Sequence, residues 1–364
     1  MIILNIYPGP TYDPNALFKT KCEAFSKFSR GAIVSTSNDT ESVQLSNYNA
    51  VLVKANFKNR FIEIFRLLKE SYRQLKRLSK SKSPGEEIFV ICYDPLKSGL
   101  IGLLLKLIFR CKLIIEVNGV YNSELNSGKS PKYWLMHAIQ QFVMNRANGV
   151  KLLFEKQLEG FRIKSKVKTA IFASYTDIHP QELSDNENKL ILSIGFPSKI
   201  KGFDLLVKAF TELSEKENDW KLKIIGHLSE AEIADLKLIS NNNSQIAFSK
   251  PVAFFEIPNE ISLCTIFVLA SRTEGMGRVL LEAAALSRPR LASNIDGIPT
   301  VIDNGVDGLL FKPENVADLA EKLKLLMYDS EQRSTLGKNA YSRYNEEFTI
   351  GNYTNKYMAF LDKI

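Results

Sequence analysis

Short β-rich runs alternate with helical patterns along the whole chain, and this alternation constrains the fold more than any other feature of the sequence. Successive parallel strands need a helical crossover between them, so the alternation indicates parallel sheets covered by helices on both faces. In the first half we predict strands at Ile2–Ile6, Ala32–Ser35, Ala50–Val53, Ile88–Cys92, Lys112–Val117, Val150–Phe154 and Thr169–Ala173. Helices are predicted near residues 15–29, 57–82, 97–110 and 132–147.

The alternation stops at a polar segment, Asp177–Asn188, which has the composition of a linker, and then restarts. In the second half we predict strands at Leu190–Ile194, Lys221–Ile225, Gln245–Phe248, Ile266–Ala270, Arg290–Ser293 and Gly308–Phe311. Helices are predicted near residues 203–217, 229–241, 278–288, 314–327 and 330–345.

The chain has 364 residues, which is too long for one compact core and comfortable for two domains. We therefore predict an α/β protein with two Rossmann-like domains, residues 1–176 and 189–349, whose parallel sheets face each other across a cleft. The remaining segment, 350–364, contains an amphipathic pattern at Tyr353–Leu361 that is predicted to cross back onto the first domain. In open α/β sheets the ligand sits beyond the carboxyl ends of the strands, so a site is expected in the loops there.

Composition points to a cytoplasmic protein without a metal site. The four cysteines are far apart and no histidine lies near them, which indicates buried thiols in a reducing compartment rather than disulfides or a zinc site. The opening residues, 1–10, lack the basic stretch and the long apolar core of a signal peptide and are predicted to form a strand. The most apolar run, Gly99–Phe109, is too short to span a bilayer.

Positive charge is concentrated in one segment. The net charge is +8, and between Lys54 and Lys82 ten Lys or Arg face only Glu63 and Glu70. Apolar residues recur at helical spacing in the same segment, which leaves two interpretations open. The helix lies on an anionic membrane surface, with the protein peripheral to the inner face of the membrane, or it packs on the core like any surface helix. Nucleic-acid binding is not predicted, because no basic patch interleaved with aromatic residues appears.

The segment RTEGMGRVLLEAAAL, residues 272–286, carries the strongest functional signal. Glu274 and Glu282 lie eight positions apart and flank a Gly-Met-Gly turn and the first turn of a helix. Gly275 and Gly277 leave the backbone bare, and the helix N-terminus presents unpaired N–H donors that suit a phosphate. The carboxylates are placed to accept hydrogen bonds from hydroxyls, Glu282 from a diol such as a ribose. The pattern favours a sugar-nucleotide site over a plain loop–helix junction.

A second candidate segment is LILSIGFPSKIKG, residues 190–202. It consists of a strand, a glycine turn and two lysines, Lys199 and Lys201, just ahead of Gly202, which opens the next predicted helix. A cation in this position complements a diphosphate, especially one that departs with growing negative charge. Lysine is also common in solvated loops of this kind, and the neighbouring Glu274 motif is what favours the functional interpretation.

These motifs follow one another in a recognisable order: Gly195, Lys201-Gly202, IIG at 224–226, SRTEGMGRVLLEA at 271–283, DGIP at 296–299 and NGVDGLLF at 304–311. The series resembles the C-terminal, donor-binding half of glycosyltransferase family 4, which are retaining sugar transferases with the two-domain GT-B architecture. The resemblance covers residues 190–345. In the first half it is limited to topology, the Pro8-Gly9 turn and EVNG at 116–119.

The resemblance implies roles for individual residues. Glu274 would contact the donor sugar and Glu282 the ribose, backbone N–H groups around 275–278 would hold sugar and phosphate, and Lys201 would hold the diphosphate. The base would rest near 249–251, and no metal or other cofactor is implied. The implied catalytic residues are Glu274, Lys201 and Asn118. The implied donor-binding residues are Gly9, Lys199, Lys201, Ser249, Lys250, Pro251, Glu274, Gly275, Met276, Gly277, Arg278, Val279 and Glu282.

The chain departs from the family pattern in several places. Phe196 stands where the family usually has an arginine, so one phosphate-neutralising cation is missing, and Lys199 or Arg278 is expected to replace it. Thr300 replaces a carboxylate, and the glycine-rich first loop is reduced to residues 8–10. Asn118 replaces a histidine that many members have; because an amide is no general base at neutral pH, it would orient the sugar or the acceptor.

The predicted function is that of a retaining, metal-independent glycosyltransferase. It would move a hexose from a nucleotide-diphosphate sugar, UDP in preference to GDP, to a lipid-linked (polyprenyl) or polysaccharide acceptor in cell-surface glycan synthesis. Two alternatives stay open. A sugar-nucleotide epimerase on the same fold would need its own acid–base residues, and we find no convincing set. A non-catalytic sugar-nucleotide-binding subunit is suggested by the departures at Phe196, Thr300 and Asn118.

Overall fold

The computed structural model of the chain describes residues 1–8, 18–56, 59–119, 131–178, 188–214 and 219–364. Gly9 and Pro10 of the predicted 8–10 turn and most of the predicted linker lie outside the described residues. The chain divides into two compact units. Unit 1 consists of Met1–Phe172 and Tyr353–Ile364, and unit 2 consists of Ala173–Asn352.

Unit 1 is built on an eight-stranded sheet. Its strands are β1 (Ile2–Tyr7), β2 (Arg30–Ser37), β3 (Glu41–Leu45), β4 (Tyr48–Lys54), β5 (Ile88–Cys92), β6 (Lys112–Val117), β7 (Gly149–Leu152) and β8 (Lys168–Ile171), in the spatial order β3-β4-β2-β1-β5-β6-β7-β8. All neighbours pair in parallel except β3, which is antiparallel to β4. The strand β3 was not predicted from the sequence, because only Leu45 of this short edge strand is buried and no apolar run marks it.

In the described part of the chain, five helices belong to unit 1 or end in it: α1 (Lys19–Phe25), α2 (Arg60–Lys80), α3 (Lys97–Phe109), α4 (Pro131–Met144) and the last helix, α12 (Ile350–Leu361). One 3-10 helix spans Glu155–Gly160. Leu67, Leu75, Ile101 and Leu105 reach from α2 and α3 into a core formed by the apolar residues of the central strands. The strand β5 is buried along its whole length, which is typical of a parallel strand covered on both faces.

Unit 2 is built on a six-stranded sheet in which every strand pairing is parallel. Its strands are β9 (Leu190–Ile194), β10 (Lys221–Ile225), β11 (Ile246–Ser249), β12 (Ile266–Leu269), β13 (Arg290–Ser293) and β14 (Leu309–Phe311), in the order β11-β10-β9-β12-β13-β14. The prediction of an α/β fold with two parallel-sheet domains is confirmed, apart from β3.

The helices of unit 2 are α5 (Ser198–Lys201), α6 (Phe203–Ser214), α7 (Glu230–Ile239), α8 (Ile257–Leu263), α9 (Arg278–Ala285), α10 (Val316–Tyr328) and α11 (Ser330–Arg343). Short 3-10 helices lie at Phe254–Glu256 and Ile298–Thr300, and a π-helix lies at Tyr344–Phe348. The helices α5 and α8 were not predicted from the sequence. The helix α5 is a single turn. The helix α8 has Pro258 in its first turn, where a helix tolerates proline, but a proline in a sequence pattern is typical of a loop.

Candidate functional site

Two glycines shape the carboxyl end of β9 in unit 2. A Cβ on Gly195 would lie 2.7–2.9 Å from side-chain carbons of Lys201, so the bare glycine lets the lysine stem lie against the backbone. A Cβ on Gly226, at the end of the neighbouring β10, would lie 2.3 Å from the carbonyl oxygen of Gly195. The two strand ends therefore approach each other more closely than any residue with a side chain would allow.

The turn that carries Lys201 differs from the predicted loop. Lys199 and Lys201 lie in α5, and Gly202 ends this turn with a φ of 63° before α6 begins at Phe203. A Cβ on Gly202 would lie 2.0 Å from the carbonyl oxygen of Ala270, so only glycine fits between α5 and the end of β12. This close approach brings the lysine turn next to the loop that follows β12.

Lys201 and Glu274 meet at this point. The ammonium Nζ of Lys201 donates to Oε2 of Glu274 in an ion pair, and each side chain keeps 16% exposure. The hydroxyl of Ser271 lies 3.4 Å from the same carboxylate oxygen. The structure thus brings together the two residues that the sequence analysis placed at the centre of the site. The pair is shielded from bulk water and still open to a ligand.

Arg272 connects the α5 turn, which carries Lys201, with the loop that carries Glu274. Its guanidinium makes a two-pronged contact with the carboxylate of Asp204 at 2.7 and 2.8 Å and also donates to the carbonyl oxygen of Lys199 at 2.7 Å. Its Nε lies 2.8 Å from Glu314. Burial acts to raise the pKa of Asp204, but the hydrogen bonds and charge of Arg272 outweigh it and hold that pKa below its usual value. Asp204 is therefore ionised at neutral pH and forms an ion pair with Arg272.

Asp296 fixes the other side of the loop. Its Oδ2 accepts from the backbone N–H of Glu274 at 3.0 Å and from the hydroxyl of Thr273 at 2.9 Å. Neither Arg272 nor Asp296 was predicted to be a site residue. The first lies two residues before Glu274 and the second opens the DGIP motif, so motif position was the only signal that pointed to them.

The helix α9 begins beside this loop. Gly277 is its N-cap residue, has a φ of 71° and supplies no side-chain cap. The N–H of Leu280 donates to the carbonyl oxygen of Gly277 at 2.7 Å, whereas the N–H groups of Arg278 and Val279 have no cap among the described residues and suit a ligand. Gly275 and Val279 are half-buried on either side. Met276 is buried, and its sulfur accepts from the backbone N–H of Ser174 at 3.3 Å. Met276 therefore offers a ligand only its backbone.

Glu282 lies one turn into α9 and is 4% exposed. Burial raises the pKa of its carboxyl to about 7, although the nearby Arg278 acts in the opposite direction. Nε of Arg278 lies 3.6 Å from Oε1 of Glu282, and its guanidinium lies 5.0 Å from the ring centre of Phe254. Arg278 is therefore engaged with Glu282 and Phe254, whereas Lys199 is exposed.

The remaining predicted residues of unit 2 lie at the same edge of its sheet. Ser249 ends β11, its carbonyl oxygen accepts from the N–H of Gly226, and Lys250 and Pro251 follow in an exposed loop. Phe196 is 61% exposed and contacts the ring of His227 edge to face.

Thr300, the residue that replaces the family carboxylate, is occupied by contacts within unit 2. Its hydroxyl donates to the carbonyl oxygen of Gly297 at 2.6 Å, and its own carbonyl accepts from Arg343 at 2.9 Å. A local turn and an arginine therefore use the polar groups of Thr300.

Asn118 belongs to unit 1 and follows β6. Its side-chain Nδ2 donates to Oε2 of Glu116 at 3.1 Å and to the carbonyl oxygen of Tyr93 at 3.2 Å. The predicted site residues thus fall into two groups: Asn118 lies at the carboxyl edge of the unit 1 sheet, and the others, apart from Gly9, lie at the carboxyl edge of the unit 2 sheet.

The unit 2 edge has the chemistry of a sugar-nucleotide site. Bare helix N–H groups and an ammonium suit a diphosphate, and two carboxylates suit the hydroxyls of a hexose and a ribose. Together with two parallel-sheet units, this edge defines the class of GT-B glycosyltransferases. Residues 174–343 match the family model of the group 1 glycosyl transferases. The resemblance to glycosyltransferase family 4 is confirmed.

Three known proteins illustrate the similarity. The capsular polysaccharide biosynthesis glycosyltransferase CapM of Staphylococcus aureus is 24% identical over 334 residues, which cover 85% of this chain and 84% of CapM. Sucrose-phosphate synthase from Thermosynechococcus elongatus has a similar structure, with a TM-score of 0.79 at 18% identity and full coverage of both chains. HepE of Anabaena, solved in complex with UDP-glucose, gives a TM-score of 0.75 at 14% identity and also covers both chains fully.

No group of three or more His, Cys, Asp or Glu side chains in the described part of the chain is arranged to hold a metal ion. No helix among the described residues combines the length and the apolarity needed to cross a bilayer. Metal independence stays a prediction.

Proposed function

We propose that the protein transfers a hexose, with retention, from a nucleotide-diphosphate sugar to a lipid-linked or polysaccharide acceptor in cell-surface glycan synthesis. The single observation that carries the proposal is the Lys201–Glu274 pair beside the uncapped N-terminus of α9. UDP is favoured over GDP because HepE, which shares the fold, was solved with UDP-glucose. The acceptor class is favoured by the likeness to CapM, a capsular polysaccharide enzyme by name.

In the proposed mechanism, the protein positions the reactants and stabilises charge. The bond from the anomeric carbon to the diphosphate oxygen breaks, and the acceptor oxygen bonds to the same face of that carbon. The acceptor proton passes to the departing diphosphate oxygen, so no protein nucleophile is needed. Lys201 and the N–H groups of α9 stabilise the negative charge on the leaving group, and Glu274 accepts hydrogen bonds from the sugar hydroxyls. These groups supply the charge stabilisation without a metal ion.

A thermal-shift screen of UDP-, GDP- and other nucleotide sugars tests the donor site. We expect one donor to stabilise the wild-type protein and neither Glu274→Ala nor Lys201→Ala. Lys223→Ala is the matched control, since Lys223 forms an ion pair with Glu260 elsewhere in unit 2. Stabilisation of all variants alike would contradict the assignment of the site.

The products distinguish the open alternatives. When the stabilising nucleotide sugar is incubated alone, an epimerase converts it to a second nucleotide sugar, whereas a transferase leaves it intact or hydrolyses it slowly. Binding that never leads to nucleotide release, with any acceptor offered, would identify a non-catalytic binding subunit.

We further propose that the protein is cytoplasmic and peripheral on an anionic membrane, and that it docks through unit 1. More than half of the exposed large apolar side chains in the described part of the chain lie on α2, α3 and α4, and α3 packs against both of the others. Each helix contributes four of these side chains. They are Phe61, Ile62, Phe65 and Tyr72 on α2, Leu100, Leu104, Leu107 and Ile108 on α3, and Trp134, Leu135, Met136 and Phe142 on α4.

The charges near these exposed apolar side chains favour an anionic lipid surface as the partner. Both α3 and α4 lack acidic residues, and the two glutamates of α2 are withdrawn from solvent. Glu63 forms an ion pair with Lys97 and Glu70 with Arg73. The exposed basic residues of α2 are Arg66, Lys69, Arg73, Lys76, Arg77 and Lys80. Exposed apolar and basic side chains without exposed acids are typical of surfaces that lie on anionic membranes.

Sedimentation with phosphatidylcholine vesicles, with and without phosphatidylglycerol, tests the docking surface. We expect binding only to the anionic vesicles, and we expect Leu107→Ser with Trp134→Ser to weaken it about tenfold or more. Leu238→Ser is the control, because Leu238 is 76% exposed on α7 of unit 2. Equal binding by the double variant and the wild type would rule out this surface.

A further inference from the structure

A buried carboxylate at the carboxyl end of β6 in unit 1 has no role in the function proposed so far. Glu116 is 3% exposed, and its Oε1 accepts from the hydroxyl of Tyr357 at 2.8 Å and lies 3.9 Å from Nζ of Lys21. Its Oε2 accepts from Nδ2 of Asn118. Tyr357 comes from α12, so a helix 241 residues away in sequence holds this carboxylate in place.

Glu116 is held in its charged form. Burial acts to raise its pKa, but the ammonium groups of Lys21 and Lys151 and the donated hydrogen bonds bring that pKa below its usual value. A carboxylate accepts hydrogen bonds and cannot donate them. The hydroxyl of Tyr357 and the amide of Asn118 must therefore both point their hydrogens at Glu116.

This requirement fixes the orientation of the Asn118 amide. Its Nδ2 has two hydrogens, and both of its partners, the Glu116 carboxylate and the carbonyl oxygen of Tyr93, are acceptors only. The flipped amide would place an oxygen against two acceptors. The main chain on both sides is fixed as well, because Nε2 of Gln157 donates to the carbonyl oxygens of Val117 and Gly119, each at 3.0 Å. Nδ2 is fully used, and Oδ1 of Asn118 has no hydrogen-bond partner among the described residues, so Oδ1 is the atom left for a ligand.

We propose that Glu116 and Tyr357 are positioning residues that hold Oδ1 of Asn118 as a fixed hydrogen-bond acceptor for a hydroxyl of the sugar acceptor. Asn118 lies at the carboxyl edge of the unit 1 sheet, where open α/β sheets bind ligands. A carbonyl oxygen in this place selects a hydroxyl and rejects an anion or another carbonyl. This hydroxyl is not the one that reacts, because the reacting hydroxyl gives its proton to the departing diphosphate. This inference rests on the proposed transferase function.

The arrangement can be tested without turnover. In protein labelled with ¹⁵N-asparagine, the side-chain amide signal that disappears in Asn118→Asp belongs to Asn118. We expect Glu116→Gln and Tyr357→Phe to shift that signal and to speed its hydrogen exchange. Tyr344→Phe is the matched control, because Tyr344 is a buried tyrosine of unit 2 whose hydroxyl donates to the carbonyl oxygen of Thr176 at 3.1 Å. An Asn118 signal that is identical in Tyr357→Phe and in wild type would overturn the positioning role.

The link to the acceptor is tested with octyl glucoside as the probe. We expect the probe to shift the Asn118 signal of the wild-type protein, and a signal that stays unchanged at saturation would overturn the acceptor contact. In transfer from UDP-glucose to this probe, Tyr357→Phe should raise the acceptor KM about three- to tenfold and leave the donor KM unchanged. Equal changes in both KM values would indicate a merely structural role. Absence of transfer by the wild type would count against the proposed function, while the two spectroscopic tests would still decide the inference.

Discussion

The two units have similar charged groups at the carboxyl ends of their sheets, but these groups differ in their exposure and in their contacts. In unit 2, Lys201 and Glu274 contact each other and each keeps 16% exposure, so both remain open to a ligand. In unit 1, Glu116 is surrounded by Tyr357, Asn118 and the buried Lys21, so its charge is satisfied by the protein. Loss of a partly exposed pair such as Lys201–Glu274 lowers stability only a little, and its two side chains are available for chemistry. The network around Glu116 is part of the folded framework and acts on a substrate only through the group it holds.

The largest expected effect is on the stability of unit 1. Glu116→Ala leaves the ammonium groups of Lys21 and Lys151 buried without their carboxylate, and should lower the free energy of unfolding by about 3–5 kcal/mol. Glu274→Ala, at a partly exposed pair, should cost about 1 kcal/mol or less. Urea unfolding followed by circular dichroism measures both. Similar losses for the two variants would break the comparison between the units.

Catalytic activity, in contrast to stability, should depend strongly on the Lys201–Glu274 pair. We expect Lys201→Ala and Glu274→Ala each to lower the rate of nucleotide release from the donor about 10²–10³-fold, since each removes a group that stabilises or positions the transition state. The double variant should lose little more than either single variant, because the two side chains act as a unit. Lys223→Ala is the control, from the ion pair with Glu260, and should keep near wild-type rates. Additive losses would show that the pair does not act together.

Local patterns explain why much of unit 2 could be predicted from the sequence. Its strands are short apolar runs, and every predicted strand overlaps one of β9 to β14. The meeting of Lys201 with Glu274 follows from their places after β9 and β12, which are neighbours in the sheet. The ion pair of Arg272 was missed, because arginine beside a turn is common and its partner Asp204 lies 68 residues away in sequence.

Unit 1 could be predicted less completely, for a physical reason. The contact between Glu116 and Tyr357 joins residues 241 apart, and nothing in either local segment marks it. The exposed apolar side chains of α3 were visible only as an apolar run, since sequence alone does not show that Leu105 is buried while Leu107 is 73% exposed. These features depend on tertiary packing, which the local sequence patterns do not show.

The smallest expected effect concerns Glu282, a glutamate of unit 2 that is buried like Glu116 but whose carboxylate, among the described residues, contacts only Arg278. Burial raises its pKa in the folded protein to about 7, above the value in the unfolded chain, so the group favours folding at low pH and loses that contribution as the pH rises through 7. Glu282→Gln does not titrate. Its stability relative to wild type should therefore increase between pH 5 and pH 8 by about 2–3 kcal/mol.

Ligand binding sharpens this last test, because ribose hydroxyls donate to the ionised carboxylate. We expect the affinity of the wild-type protein for the donor to increase from pH 6 to pH 8, as Glu282 ionises, and the affinity of Glu282→Gln to stay constant. Urea unfolding at each pH and calorimetric titration with the donor measure the two effects. Glu321→Gln, at an exposed position on α10, is the control and should follow wild type in both. A wild-type affinity that does not change with pH would mean that the Glu282 carboxylate does not contact the donor, and unit 2 would then contain a buried glutamate with a structural role, like Glu116 in unit 1.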